Sequence, residues 1–334
     1  MNVSARQVVL ARRPTGSPKV ADFRIETNEL GELGDDEVMV RNHWLSLDPY
    51  MRLYMSEQPG LHGSVPLGAP MPGGAVGEVL ASRSPALPLG SYVLSLAHGW
   101  RDHYIAPASQ LQTVSSATAP IQRFLGIYGL TGITAWGGIN GVLKPQPGET
   151  MFINGAAGAV GSVAVQLARA AGATVIASAG SDAKGKWIIE ELGAHRFINY
   201  RTEDVRTRLS ELAPAGIDMF FDNVGGNQLE VAIDAMRPKG RMALCGAIAL
   251  YYGNNYRSGP RNMFAIIEKH VSITGFNAGF YFDQAPQIIA EFTQLEANSA
   301  LVCRETVVDG LNAMPQGFVD LLTGANTGKM LVRL

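Results

Sequence analysis

The chain has 334 residues, 46% hydrophobic and 17% charged, with 38 glycines and a formal net charge of −2. A single core seldom grows past ~250–300 residues, so this length points to two domains, and the apolar fraction excludes a disordered chain. The 27 Lys and Arg against 29 Asp and Glu leave no footprint for nucleic acid or anionic lipid. Cys245 and Cys303 are too few for a disulfide framework and fit a reducing compartment.

Arg6, Arg12 and Arg13 interrupt the apolar residues of the first segment, so no secretory signal is expected in it. Two uncharged runs, Phe124 to Leu143 and Thr150 to Ala168, are long enough to cross a membrane. Both are rich in Gly, Thr, Asn and Ser, and the second breaks at Asn154-Gly155, which reads as strand, turn and helix. The expectation is a cytoplasmic protein without a membrane partner.

Residues 1–125 read as β-rich and irregular. Short apolar runs at Gln7–Leu10, Glu37–Arg41 and Ser91–Leu96 are separated by Gly/Pro-rich turns, densest from Ser56 to Val79, the pattern of a compact barrel-like domain. Residues 126–301 change rhythm. Strands are expected at 150–154, 174–178, 196–199, 218–222, 241–245 and 271–275, and helices at 159–171, 182–192, 203–212, 228–236, 262–269 and 284–297. Gly172 and Gly193 stand where left-handed residues close helices. Strands alternating with helices over short connections predict an α/β domain with a doubly wound parallel sheet. Residues 302–334 return to short β-like runs around a helix at 314–322 and are expected to complete the first domain.

The strongest chemical signal is Ile153-Asn-Gly-Ala-Ala-Gly-Ala-Val-Gly161. The spacing Gly155-x-x-Gly158-x-x-Gly161 varies the dinucleotide fingerprint: small residues let backbone approach a pyrophosphate, and the helix N-terminus presents unpaired N–H groups to it. NAD-specific sites usually place an acidic side chain about 20 residues further on, at the end of the second strand. Here Ser178-Ala-Gly-Ser181 lacks a carboxylate and Lys184 follows, which favours NADP(H) with Ser181 and Lys184 on the 2′-phosphate. Asp182 is assigned to capping its helix, and Lys186 is a weaker cation candidate that reads equally well as a solvated lysine. The 6 histidines have no metal-ligand spacing, and the two cysteines stand apart, so no metal site is expected. The absence of a Gly-x-Ser-x-Gly elbow lowers hydrolase readings.

Six segments carry a family resemblance: Asn42–Arg52, Asn154–Ser162, Ala179–Lys184, Phe221–Gly226, Cys245–Ile248 and Asn326–Lys329. In order and over nearly the full length, they resemble the zinc-independent medium-chain dehydrogenases/reductases. Within these they match the group of leukotriene B4 dehydrogenase/prostaglandin reductase, plant alkenal reductases and curcumin-reductase-like proteins. The resemblance implies a Rossmann domain joined to a GroES-like β-barrel, and the zinc ligands of related alcohol dehydrogenases are missing at Leu45–Asp48 and Met71–Gly74.

By the same resemblance, Gly158, Ala159, Val160 and Gly161 would meet the pyrophosphate, with Ser181, Lys184 and Tyr200 around the adenosine phosphate. Asn223, Cys245, Gly246 and Ala247 would line the strand ends, Phe276 and Asn277 the nicotinamide side, and Asn326 would reach in from the tail. Tyr251 holds the position of the family's proton donor, but relatives carry Ser-x-Tyr-Asn where this chain has Ala249-Leu-Tyr-Tyr-Gly253, so Tyr252 competes with it. Both also fit the role of apolar cleft lining. Tyr50 and Tyr281 are substrate-pocket candidates, Tyr281 also an oligomer contact, and Asp48 with Arg52 reads as an ion pair holding the turn. The implied activity is NADPH-dependent reduction of the C=C bond of enals and enones, with hydride delivered to the β-carbon and hydrogen-bond donors at the oxygen. The implied assembly is a homodimer. An NADPH:quinone oxidoreductase and a non-catalytic NADP-binding regulator stay open as alternatives.

Overall fold

The computed structural model describes residues 3–57, 63–251 and 259–334. The chain divides into two compact units, residues 1–126 with 305–334, and residues 127–304.

In the first unit, β1 (Val3–Leu10) pairs antiparallel with β2 (Phe23–Leu30). Next come β3 (Glu37–Ser46), the short helix α1 (Met51–Tyr54), β4 (Ala75–Ser82), β5 (Tyr92–Ser95), β6 (His103–Pro107) and β7 (Gln112–Thr113). The long strand β3 organises the sheet: β4 runs along one edge, and β6 takes the first half of the other. Gly77 sits at an irregularity between β3 and β4, where a Cβ would come within 2.4 Å of the Arg41 carbonyl oxygen, so only glycine fits. Phe23 stacks on Trp100 at 5.1 Å between ring centroids, and Phe318 closes on Trp100 edge-on at 5.5 Å.

The second unit begins with α2 (Leu130–Trp136), which runs on as a π-helical turn, Gly137–Leu143. It continues β8 (Thr150–Ile153), α3 (Ala159–Ala170), β9 (Thr174–Ala179), α4 (Asp182–Glu190), β10 (Arg196–Asn199) and α5 (Val205–Leu212). Then follow β11 (Ile217–Asp222), α6 (Gly226–Ala235), β12 (Met236–Leu244), α7 (Phe264–Glu268), β13 (Ser272–Gly275) and α8 (Ala285–Ala297). The six strands are parallel, in the order β10-β9-β8-β11-β12-β13. That is the 3-2-1-4-5-6 order of a doubly wound dinucleotide fold, and the chain reverses direction across the sheet between β8 and β11. Met151, Phe152, Ile153, Met219, Phe220 and Phe221 are fully buried, because helices cover both faces of these central strands. Gly172 at φ +85° and Gly193 at φ +74° close α3 and α4 in the left-handed region.

The chain then returns to the first unit with β14 (Glu305–Asp309), α9 (Met314–Leu322) and β15 (Lys329–Arg333). β15 takes the second half of the β3 edge, antiparallel, and β14 lies parallel outside it. Among the described residues no helix is long and apolar enough to cross a membrane. The uncharged run Phe124 to Leu143 is instead a short 3-10 turn followed by α2 and its π extension.

Candidate functional site

The fingerprint lies at the carboxyl end of β8. Gly155 adopts φ +57°, which makes the tight turn, and Gly158 is the N-cap of α3. A Cβ on Gly161 would lie 2.4 Å from the Gly155 carbonyl oxygen, so this glycine lets the helix close onto its own turn. Around Gly158 a Cβ would meet only the Gly155 oxygen at 3.2 Å, which leaves open space before the helix N-terminus. The N–H groups of Ala159, Val160 and Gly161 occupy the first helical turn, where no earlier carbonyl of the helix can accept them. Open space and unpaired donors together fit a pyrophosphate.

Across the switch point, buried polar groups tie β8 to β11. The Asp222 carboxylate, 1% exposed, accepts from Asn154 Nδ2 at 2.6 Å and from the N–H groups of Val224 and Gly225 at 2.9 and 2.7 Å. Burial raises its pKa, and these three donors oppose the rise. Asn154 Oδ1 accepts from the Asn223 N–H at 2.6 Å, and Asn223 Nδ2 donates to the Asn154 carbonyl at 2.7 Å. The N–H groups of Cys245 and Gly246 donate to the Asp222 carbonyl, extending the network to the end of β12. A Cβ on Gly246 would fall 2.7 Å from the Asn223 carbonyl, so glycine is required for this approach. The Cys245 thiol donates to the Asp222 carbonyl and to Asn223 Oδ1, and burial pushes its pKa up, so it stays a protonated thiol rather than a thiolate.

Tyr251 stands over these strand ends. Its Oη accepts from the Ala247 N–H at 3.5 Å. Burial raises the phenol pKa, the Ala247 hydrogen bond opposes the rise, and the neighbouring Cys245 and Asp222 add to it. The phenol is therefore a protonated donor at neutral pH. Tyr252, its competitor, lies outside the described residues.

A second cluster gathers where β9 ends beside β10. Ser181 is the N-cap of α4, its Oγ accepting from the Lys184 N–H at 3.4 Å. The assignment of the cap to Asp182 is thus corrected: Asp182 is the first helical residue, and its carboxylate accepts from Asn199 Nδ2 at 2.7 Å. Lys184 is half-buried, and burial followed by the nearby Arg201 cation lowers its pKa. Tyr200 and Arg201 lean over Gly180, where a Cβ would lie 2.8 Å from Tyr200 Oη and 3.0 Å from Arg201 Nε. Lys186 points outward and pairs with Glu190 at 4.0 Å, which is the solvated-lysine reading.

Phe276 and Tyr281 join Phe221 and Trp136 in an aromatic group with centroid separations of 6.0 to 6.4 Å. Tyr281 lies on Gly137 and Gly141, whose Cβ atoms would fall 2.4 and 2.3 Å from its ring and hydroxyl. Asn277 is exposed, and its Oδ1 accepts from the Gly279 N–H at 2.8 Å, which caps the following 3-10 turn.

Tyr50 and Asn326 belong to the first unit. Tyr50 is half-buried beside Tyr54, and burial, then the Asp48 charge, raises its phenol pKa. Asp48 pairs with the buried Lys329 at 3.3 Å and accepts from Ser46 Oγ, while Arg52 donates to the Gly16 carbonyl at 3.1 Å. Lys329 Nζ also donates to the Leu47 and Met330 carbonyls, both at 2.8 Å, so β15 anchors the turn that carries Tyr50. Asn326 Nδ2 donates to the Gly328 carbonyl at 2.8 Å, within the same tail.

Residue patterning did not single out Asn154, Asp222, Asn199 or Arg201. The first three are buried polar side chains near strand ends, a signal that motif spacing alone does not separate from surface polarity. Among the described residues, no group of three or more His, Cys, Asp or Glu is arranged to hold a metal.

A doubly wound sheet with a phosphate turn at its switch point defines a Rossmann-type dinucleotide-binding protein. Residues 6–114 match the family profile of the N-terminal domain of oxidoreductase, and residues 159–294 that of zinc-binding dehydrogenase. The sequence is similar to the NADP(+)-dependent 2-alkenal reductase of Nicotiana tabacum, 34% identical over 99% of this chain and 97% of the relative. It is also similar to the NADPH-dependent curcumin reductase of Escherichia coli, 31% identical over 98% and 96%. Its fold superposes on that of CurA from Vibrio vulnificus, solved in complex with NADPH, with a TM-score of 0.92, 31% identity and 98% coverage of both chains. The chain belongs to the medium-chain dehydrogenase/reductase family, in the group that holds the prostaglandin, alkenal and curcumin reductases.

Proposed function

We propose that this protein is an NADPH-dependent 2-alkenal/2-alkenone reductase that saturates the C=C bond of α,β-unsaturated aldehydes and ketones. The observation that carries the reading is the Tyr251 hydroxyl: its oxygen accepts the Ala247 N–H, so its own proton is available to a substrate oxygen. NADPH, when bound, supplies the hydride that reaches the β-carbon.

Everything else is the work of this chain's own groups. The N–H donors of Ala159, Val160 and Gly161 would hold the pyrophosphate, and Ser181, Lys184 and Tyr200 the adenosine phosphate. The Asn154–Asp222–Asn223 network fixes the strand ends, and Gly246 lets the end of β12 close onto Asn223. At the carbonyl, Tyr251 Oη donates its proton to an oxygen that gains charge as the double bond is reduced. A donor whose pKa burial has raised stays neutral until then. Similarity to a 2-alkenal reductase and to a pulegone reductase supports this substrate class. We also infer that the protein is cytoplasmic and dimeric.

The test is turnover of NADPH with a panel of enals, enones and quinones, followed by product analysis. A saturated aldehyde or ketone is the expected product. Hydroquinone formation without saturation of any enal or enone would replace this reading with quinone reduction, and a protein that binds NADPH without turnover would be a regulator.

A further inference from the structure

Discrimination between NADP(H) and NAD(H) depends on the sign of the charge presented at the end of β9. This chain does carry a carboxylate there, on Asp182, one residue past the Ser181 cap. Left to itself, that group would favour a ribose hydroxyl and repel a phosphate dianion. Its hydrogen-bond partner is Asn199, the last residue of β10, 5% exposed and in register with Ala179 of β9. Asn199 Nδ2 donates to the Asp182 carboxylate at 2.7 Å, while Oδ1 of the same amide accepts from the Arg201 N–H at 3.2 Å. One buried amide thus holds the acid and fixes the backbone of the cation.

The neighbouring groups complete the arrangement. Lys184 lies two positions after Asp182 on α4, a spacing that places the two side chains on different helix faces. Arg201 stands close enough to Lys184 to lower its pKa, and with Tyr200 it leans over Gly180. The nearby carboxylate of Glu203 is engaged by the Asn199 N–H at 2.7 Å and by Arg208 at 2.6 Å. The groups gathered at the end of β9 are therefore Ser181, Lys184, Tyr200 and Arg201, with both local acids held by other partners.

We propose that Asn199 is a positioning residue for cofactor choice, holding Asp182 aside and Arg201 in place so that the end of β9 presents cations to the 2′-phosphate of NADP(H). This rests on the cofactor reading above.

The test is the ratio of NADH to NADPH dissociation constants, measured by calorimetry on the full chain without substrate. Asn199→Ala is expected to lower the preference for NADPH about fivefold, the scale of one partly screened charge interaction. The double variant Asn199→Ala/Asp182→Asn is expected to recover most of that loss, whereas Asp182→Asn alone changes the ratio less than twofold. Asp182→Glu, at an exposed position that does not disturb β10, moves the carboxylate past the reach of Asn199 and is expected to lower the ratio about threefold. It carries the test should Asn199→Ala not fold. An unchanged ratio in Asn199→Ala, a double variant as impaired as the single one, or an unchanged ratio in Asp182→Glu overturns the proposal while the preference of the wild type for NADPH stands. A wild type that binds both cofactors equally overturns the cofactor reading and this proposal with it.

Discussion

Removing the proton of Tyr251 while keeping its ring tests the proposed donor directly. Tyr251→Phe keeps the ring near Cys245 and the Asp222 network but cannot donate to a substrate oxygen. Turnover is expected to fall about 10²- to 10⁴-fold, the usual contribution of a general acid, with NADPH affinity kept within twofold. Stopped-flow hydride transfer together with cofactor titration checks both halves. Tyr251 was legible only through the resemblance, because a tyrosine in an Ala-Leu-Tyr-Tyr run has no signature of its own. The Asn154–Asp222–Asn223 network was not legible as a network. Its members are 68 and 69 positions apart, and only the parallel pairing of β8 with β11 brings them together. A different residue sets an acid limit. Burial, and then the Arg101 charge, depresses the His98 pKa to about 4, where its ring stacks on Tyr104 at 4.3 Å. Protonation therefore favours the unfolded chain: the stabilisation is complete above the ordinary value near 6.5 and is lost as pH falls toward 4. With solvent screening of a partly exposed ring, the loss is about 1–2 kcal/mol. Urea midpoints at pH 7 and pH 4.5 should show a smaller pH-dependent loss in His98→Phe than in the wild type.

Elements whose burial follows their own period were readable, and those held by close approach were not. The strands of the parallel sheet announce themselves as apolar runs, and α3 and α4 end at the glycines expected to close them. The segment Leu130–Leu143 gave no helical signal, because Gly132, Gly137, Gly138 and Gly141 each lower helix propensity. In the folded unit these glycines are the contact surface. A Cβ on Gly138 would lie 2.3 Å from the Phe221 ring and 2.7 Å from the Phe276 ring, so tertiary packing outweighs the propensity cost. Gly138→Ala would force both rings to shift, and overpacking of this kind costs about 1–3 kcal/mol. Thermal melting should register a clear fall in midpoint. Gly259→Ala, a position with nothing within 4 Å of the added Cβ, should melt like the wild type. Were the two variants to melt alike, close packing of the glycine face would not be what holds this helix.

At the scale of the whole molecule, the open question is what covers the outer edge of the parallel sheet. Among the described residues β13 pairs on one side only, with β12, and three of its four residues are exposed. An unpaired strand edge is a template for another strand. In the flanking stretches of chain, large apolar side chains are also exposed: Phe264 at 66% and Ile267 at 69% on α7, and Phe280 at 72% five residues past β13. Exposed large apolar groups and an unpaired strand edge are each features of interaction surfaces, and two-fold assembly is the commonest way for a chain to cover them. Dimerisation through this edge would explain why the sequence tolerates these residues, which no fold-level pattern accounts for. Light scattering of the wild type is expected to give the mass of two chains. Phe264→Glu/Phe280→Glu changes only exposed side chains, so the fold should persist while the mass falls to that of one chain at micromolar concentration. A two-chain mass in the double variant would place the dimer contact elsewhere, and a one-chain mass in the wild type would remove the dimer altogether.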